Sequence, residues 1–265
     1  MSHEDEVDKP GAGKATLNRS LERGLEILRA FRAGTEFLGN GEISERTGLS
    51  KSTVSRLTQT LIHSGMLVYD GQKMGYRLSA VSLCFGHAMY YSNTLIQVAA
   101  PLMRDTAYEL KVNVGLAAAD RDEMVYLDSI RMSRKNTPRV VLTGQRVPME
   151  FTSLGRAYLS TLSENRLEAL MELFRSKRCE ARWATLELEI RAAIDDVKLH
   201  GFCASSWQAE VVAISTPIGI HNYQDHILNI SLSTPLTIEA VIDQYSAPLL
   251  DLAEKIRTKL DVGHI

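Results

Sequence analysis

Between Gly48 and Leu61 the chain reads GLSKSTVSRLTQTL, and its polar side chains are mostly short hydroxyls and long cations. Ser52, Thr53 and Ser55 can hydrogen-bond phosphate oxygens with little loss of rotamer freedom. Lys51 and Arg56 can reach the phosphate backbone or the paired acceptors of guanine, and Gln59, one turn on, suits the edge of adenine. A helix starting at Ser50 would add its own free N–H donors and the positive end of its dipole. Together these are the groups of a helix that reads a major groove. The plainer alternative is a capped, solvated helix start, where Ser and Thr are common.

Such a helix must be held against a second one. A short helix over Glu42 to Thr47, a turn at Gly48 and Leu49, and a longer helix from Ser50 to about Ser64 give that arrangement. The turn needs a residue with positive φ, and the close crossing needs a small residue, here Ser44, facing Val54. Ile43, Leu49 and Leu57 close the core. A preceding helix, capped by Ser20, carries Leu21, Leu25, Ile27, Leu28 and Phe31 on its buried side. After it, GMLVYDGQKMGYRLS reads as two short strands around a glycine-bounded turn. Three helices and a hairpin are the plan of a winged helix-turn-helix. On that plan Lys73 and Arg77 lie on the wing, as phosphate contacts or as a plain solvated hairpin, and Arg19 and Arg23 on the first helix face the backbone.

Charge distribution agrees with this reading. The whole chain of 265 residues has a formal net charge of −2, yet Lys14 to Ser79 holds ten Lys and Arg against six Asp and Glu, a local balance of +4. Both flanking segments are acidic, so the basic stretch favours a phosphate-bearing partner. The opening MSHEDEVDKPGAGKA lacks the apolar core of a signal peptide, and residues 1–16 are expected to be a disordered tail. No apolar run of about 18 residues suggests a membrane span. The three scattered cysteines have no C-x-x-C spacing, which fits a reducing cytoplasm.

Ser79 to Asn93 carries no Asp, Glu, Lys or Arg, which predicts a linker helix, over about 80–93, covered on most sides and packed against a partner chain. A helix over Thr94 to Leu110 should kink or restart at Pro101. Beyond it, VNVGLAAAD, EMVYLDSI, PRVVLTGQR, FCASS, VVAISTPIGI and HILNISLSTP read as strands, with helices over 153–162, 164–175, 185–200 and 237–260. Tight turns between strands imply an α+β domain on a mainly antiparallel sheet.

This second domain shows no catalytic constellation. G-x-S-x-G, G-x-x-x-x-G-K-[ST] and strand-borne G-x-G-x-x-G are all missing, and the histidines lack the spacing of a two-ligand metal helix. His221 and His226 flank a turn and are expected in solvent. No catalytic residue, metal or cofactor is expected; the competing reading is a metal-dependent sensor or enzyme built on this domain. A ligand pocket fits better. FTSLGRAYL sets Thr152 or Ser153 at a helix start, with Gly155 permitting close approach, and free N–H groups there suit a carboxylate or another electron-rich group.

SLERGLEILRAF, EISERTGLSKSTVSRLTQTLIHSGML and YRLSAVSLCFG resemble the IclR family of bacterial transcription regulators. TSLGRAYL, GFCASS, AISTPI and ISLSTP follow in that family's order, so the resemblance spans residues 17–260. It implies a winged helix-turn-helix DNA-binding domain over 17–79, a helical linker over 80–93 and a GAF/profilin-like effector-binding domain over 94–262. It implies double-stranded operator DNA, a small organic acid or aromatic effector, and a homodimer or homotetramer. Carried over motif by motif, the effector residues are Ser153, Leu154, Ala213, Ser231 and Ser233, with Cys203 and Ser206 on the same wall. Ser231 and Ser233 could equally be ordinary strand residues. The chain departs from the family between Gly201 and Pro217, where an acidic run is replaced by SSWQAE. Trp207 enters there, either as edge-strand packing or as a flatter, more apolar pocket wall.

Overall fold

The computed structural model describes residues 17–132, 143–219 and 225–262. The tail over 1–16, most of the strand expected over PRVVLTGQR, and His221 lie outside the described residues. The chain divides into two compact units, Met1–His87 and Ala88–Ile265.

In the first unit α1 (Arg19–Arg29) is capped by Asn18, whose side chain accepts from the N–H groups of Ser20 and Leu21. The cap therefore lies two residues before the expected Ser20. The burial differs as well. Gly24, Ile27 and Ala30 face inward, while Leu21 and Leu25 are 63% and 50% exposed. Positions 24, 27 and 30 repeat every three residues along one face, which turns Leu21 and Leu25 outward.

α2 (Asn40–Thr47) ends at Gly48, whose φ of 70° is the left-handed conformation that an L side chain disfavours. α3 (Lys51–His63) starts from Ser50, which takes the N–H of Thr53. Ser44 does more than fit the crossing: its hydroxyl donates to the Leu49 carbonyl at 2.6 Å and pins the turn. Ile27, Leu38, Ile43, Val54, Leu67 and Tyr76 form the core. β1 (Leu67–Asp70) and β2 (Gly75–Leu78) pair antiparallel as the wing, with Leu38 bridged to Tyr76 alongside.

α4 (Val81–Ser92) joins the units, and none of its residues is buried. Leu83 is 77% and Phe85 60% exposed, so among the described residues the covering expected for this uncharged helix is not found.

The second unit is built on a six-stranded antiparallel sheet, ordered β5 (Arg146–Pro148), β4 (Glu123–Ile130), β3 (Asn113–Asp120), β8 (His226–Ser233), β7 (Val211–Pro217) and β6 (Cys203–Gln208). Strand alternation gives each face its own core. Val114, Leu116, Ile214, Leu228 and Ile230 pack against α5 (Thr94–Leu110) and α9 (Ile238–Val262). Ala117, Met124, Tyr126, Cys203 and Ile227 face α6 (Ser153–Leu159), α7 (Glu164–Ser176) and α8 (Glu180–His200). The result is three layers, helices on both faces of one sheet. Of the kink or restart expected at Pro101, the restart does not occur: α5 runs through it as one helix. His226 opens β8 opposite Ala118 and is buried, contrary to its expected place in solvent.

Candidate nucleic-acid interface and ligand cavity

Lys51, Ser52, Arg56 and Gln59 are exposed along α3, with Thr53 and Ser55 half-buried between them. Val54 and Thr58 turn inward, Thr58 donating its hydroxyl to the Val54 carbonyl, so α3 divides into an inner and an outer face. Ser50 Oγ lies 3.1 Å from Ser52 Oγ and 2.9 Å from Thr53 Oγ1. The hydroxyls thus form a linked cluster at the helix start. Lys73 and Arg77 are exposed on the wing, and Arg19 and Arg23 on α1. Among the described residues no ion pair engages Lys51, Arg56, Lys73, Arg77, Arg19 or Arg23. Cations left without internal partners keep their charge for an outside anion.

In the second unit a cavity of ≈ 300 Å³ opens between the start of α6 and the inner sheet face. Ser153 and Leu154 line it from α6, Ala213 from β7 and Ser231 from β8. A recess of ≈ 60 Å³ adjoins it, and Ser233 lines that recess; the two spaces share Tyr126, Gln208, Val211, Asn229 and Ser231. Ser153 Oγ is 2.7 Å from Ser215 Oγ, which ties α6 to β7. Thr152 Oγ1 takes the Gly155 N–H, so the cap itself uses one donor of the helix start.

Two expected wall residues lie elsewhere. Cys203 points into the helical layer, its thiol donating to the Ser153 carbonyl at 3.4 Å, and burial pushes that thiol up to about 12. Ser206 is exposed on the irregularity between Ser205 and Gln208 of β6, where the register shifts. That bulge re-aims the side chains that follow it, and Trp207 lines the cavity from the edge strand. Both readings of Trp207 meet in one position. Gly155 allows a close approach of helix to loop: a Cβ there would collide with the backbone of Met149.

Tyr126, Asn229, Gln145, Arg146 and Gln208 are lining residues that the sequence motifs did not single out. Asn229 was legible, since 229, 231 and 233 share one strand face at period two. Tyr126 was not, because its neighbours in EMVYLDSI are all plausible core residues. Arg146 is held by Asp120 and Glu123, which offset its charge. No described lining residue of the larger cavity is Asp or Glu. Among the described residues no group of three or more His, Cys, Asp or Glu could hold a metal ion, and no helix is long and apolar enough to cross a membrane.

A winged helix with unpaired cations on its second motif helix, followed by a separate domain around a polar cavity, defines a two-domain transcriptional regulator. The family models agree: residues 20–71 match the IclR helix-turn-helix domain, and residues 87–258 match the bacterial transcriptional regulator IclR C-terminal domain. The chain belongs to the IclR family of bacterial DNA-binding transcriptional regulators. It is 30% identical to the HTH-type transcriptional regulator TsaQ1/TsaQ2 of Comamonas testosteroni over 88% of this chain and 85% of that one. The Pca regulon regulatory protein of Pseudomonas putida is 25% identical over 92% of this chain and 84% of its own. The crystal structure of an IclR family transcriptional regulator from Brucella abortus superposes with a TM-score of 0.84 at 32% identity, covering 95% of this chain and 96% of that one.

Proposed function

We propose that this protein is a ligand-responsive regulator in which a small organic effector, bound in the cavity beneath α6, shifts affinity for double-stranded operator DNA. The observation that carries this reading is a sizeable cavity whose described lining is rich in neutral hydrogen-bonding groups and free of carboxylates. Such a site suits a neutral or anionic organic molecule and rejects an amine, which would find no counter-charge. Lys51, Arg56 and the hydroxyls of α3 read the operator, Gln59 contacts a base edge, and Arg19, Arg23, Lys73 and Arg77 hold the flanking backbone.

The effector acts only through its differential affinity for the DNA-competent and incompetent arrangements of two winged helices. The exposed apolar residues of α4 support a second copy, whose same helix would cover this uncharged, unburied one. The protein works as a homodimer or homotetramer in the cytoplasm, where its DNA is. The test is a reporter driven by the promoter upstream of its own gene, with wild type and Ala213→Trp, which fills the cavity. Both should occupy the promoter, and the variant alone should lose its response across growth conditions that modulate the wild type. A variant that still responds would exclude the cavity as the effector site.

A further inference from the structure

Gly115 is the third residue of β3 (Asn113–Asp120), a strand flanked by β4 on one side and β8 on the other. A Cβ at this position would come 2.5 Å from Asn229 Oδ1 and 2.5 Å from Tyr126 Cε1. The space a side chain would fill is thus taken by the Tyr126 ring from β4 and the Asn229 amide from β8, leaning together over a bare backbone. Asn229 Nδ2 lies 3.5 Å from the Tyr126 hydroxyl oxygen and donates toward it. Both residues line the larger cavity and the recess beside it.

The hydrogen-bonding account of this pair does not close among the described residues. Tyr126 Oη accepts from Asn229, which leaves its O–H proton to be given elsewhere. Asn229 is 2% exposed, and its Oδ1 has no hydrogen-bond partner among the described residues. A buried amide oxygen without a partner is costly, and such groups in native proteins normally meet a ligand or water. Burial also raises the Tyr126 pKa to about 12, so the phenol is a neutral donor at physiological pH. The pair thus brings one donor and one acceptor to the wall of the space the two cavities share, with Asn229 Oδ1 set down against Gly115.

We propose that Tyr126 and Asn229 are specificity-determining residues that read a hydroxyl group on the effector, which accepts from the Tyr126 phenol and donates to Asn229 Oδ1. This rests on the cavity being the effector site. A hydroxyl satisfies both groups at once. A carboxylate cannot donate, and a methyl or hydrogen in its place leaves both protein groups unpaired. Sites built around a buried polar pair discriminate strongly against the analogue that lacks the matching group.

The experiment measures thermal stabilisation and calorimetric Kd with matched probes differing by one hydroxyl: 4-hydroxybenzoate against benzoate, and 3-hydroxybutyrate against butyrate. The proteins are wild type, Asn229→Leu, Tyr126→Phe and Ala213→Trp, each checked for native circular dichroism. Wild type should bind the hydroxylated member of at least one pair about 10- to 100-fold more tightly than its partner, and the Phe and Leu variants should each reduce that ratio to near one. Tyr126→Phe keeps the ring and so carries the test if Asn229→Leu fails to fold. Equal binding of both members to wild type, discrimination that survives in Tyr126→Phe, or no binding of any probe would overturn the inference. Ala213→Trp separates the two claims. Probe binding that persists in it refutes the cavity itself. Binding lost there with discrimination intact in Tyr126→Phe refutes only the Tyr126–Asn229 assignment.

Discussion

Replacing Gly155 by alanine should damage the second unit out of proportion to the single methyl added. The new Cβ would overlap the carbonyl oxygen, the Cα and the carbonyl carbon of Met149, which are backbone atoms and not a side-chain tip. That backbone has little freedom to retreat. Thr152 Oγ1 donates to the Pro148 carbonyl at 2.8 Å, Arg156 Nε donates to the Glu150 carbonyl at 3.1 Å, and Arg178 pairs with the Glu150 carboxylate while stacking over Phe151. Overpacking a rigid site costs about 1–3 kcal/mol, occasionally more, and this contact belongs at the upper end. Alanine regains up to about 1 kcal/mol through its better helix propensity. A net loss of about 2 kcal/mol lowers Tm by roughly 4–8 °C for a domain of this size. Differential scanning calorimetry of the full chain measures it, with Gly24→Ala as the control. Gly24 is also helical, but a Cβ there would meet nothing within 4 Å, so that variant should be unchanged or slightly stabilised. Equal transition temperatures for Gly155→Ala and wild type would refute the packing argument.

Other outcomes follow from the same geometry. Exposed Cys179 should react readily with a thiol reagent in the native protein at pH 8, and buried Cys203 only after unfolding. Fast reaction at Cys203 would contradict that placement. Cys203 and Tyr126 both have folded pKa values raised by burial to about 12. The folded chain therefore keeps protons that the unfolded chain releases between about pH 9 and pH 12, and stability falls as pH rises through that window. Urea midpoints should drop between pH 8.5 and pH 11, and Tyr126→Phe should make the drop shallower. Ser44→Ala should destabilise the first unit by about 1 kcal/mol through loss of the bond to Leu49, read as a lower urea midpoint, although alanine fits the crossing sterically.

The winged helix was legible because its signals are local. Gly48, Ser50 and the 43/54/57 apolar set each act within a few residues, and the structure puts the turn and the cap at those positions. α1 was less legible. Leu21 and Leu25 looked like core because apolar residues at helical spacing normally face inward, whereas the side that faces in is the one carrying Gly24 and Ile27. The sharing of one strand face by Asn229, Ser231 and Ser233 was readable from alternation. The Tyr126–Asn229 pair was not, since it depends on β3 and its missing side chain at Gly115 lying between two strands distant in sequence. The placement of Ser206 failed for the opposite reason: a bulge at Ser205 to Gln208 breaks the alternation that a sequence reading must assume.

The most direct measurement is fluorescence anisotropy of the full chain on the DNA upstream of its own gene, across a salt series, for wild type and the Lys51→Ala/Arg56→Ala double variant. Each phosphate contact contributes about one unit to the slope of log K against log salt. The wild type should bind specifically and weaken steeply with salt, while the double variant should lose specific retention and show a slope shallower by up to about two. Specific binding with the same slope in both proteins would contradict the assignment of α3 as the helix that reads DNA.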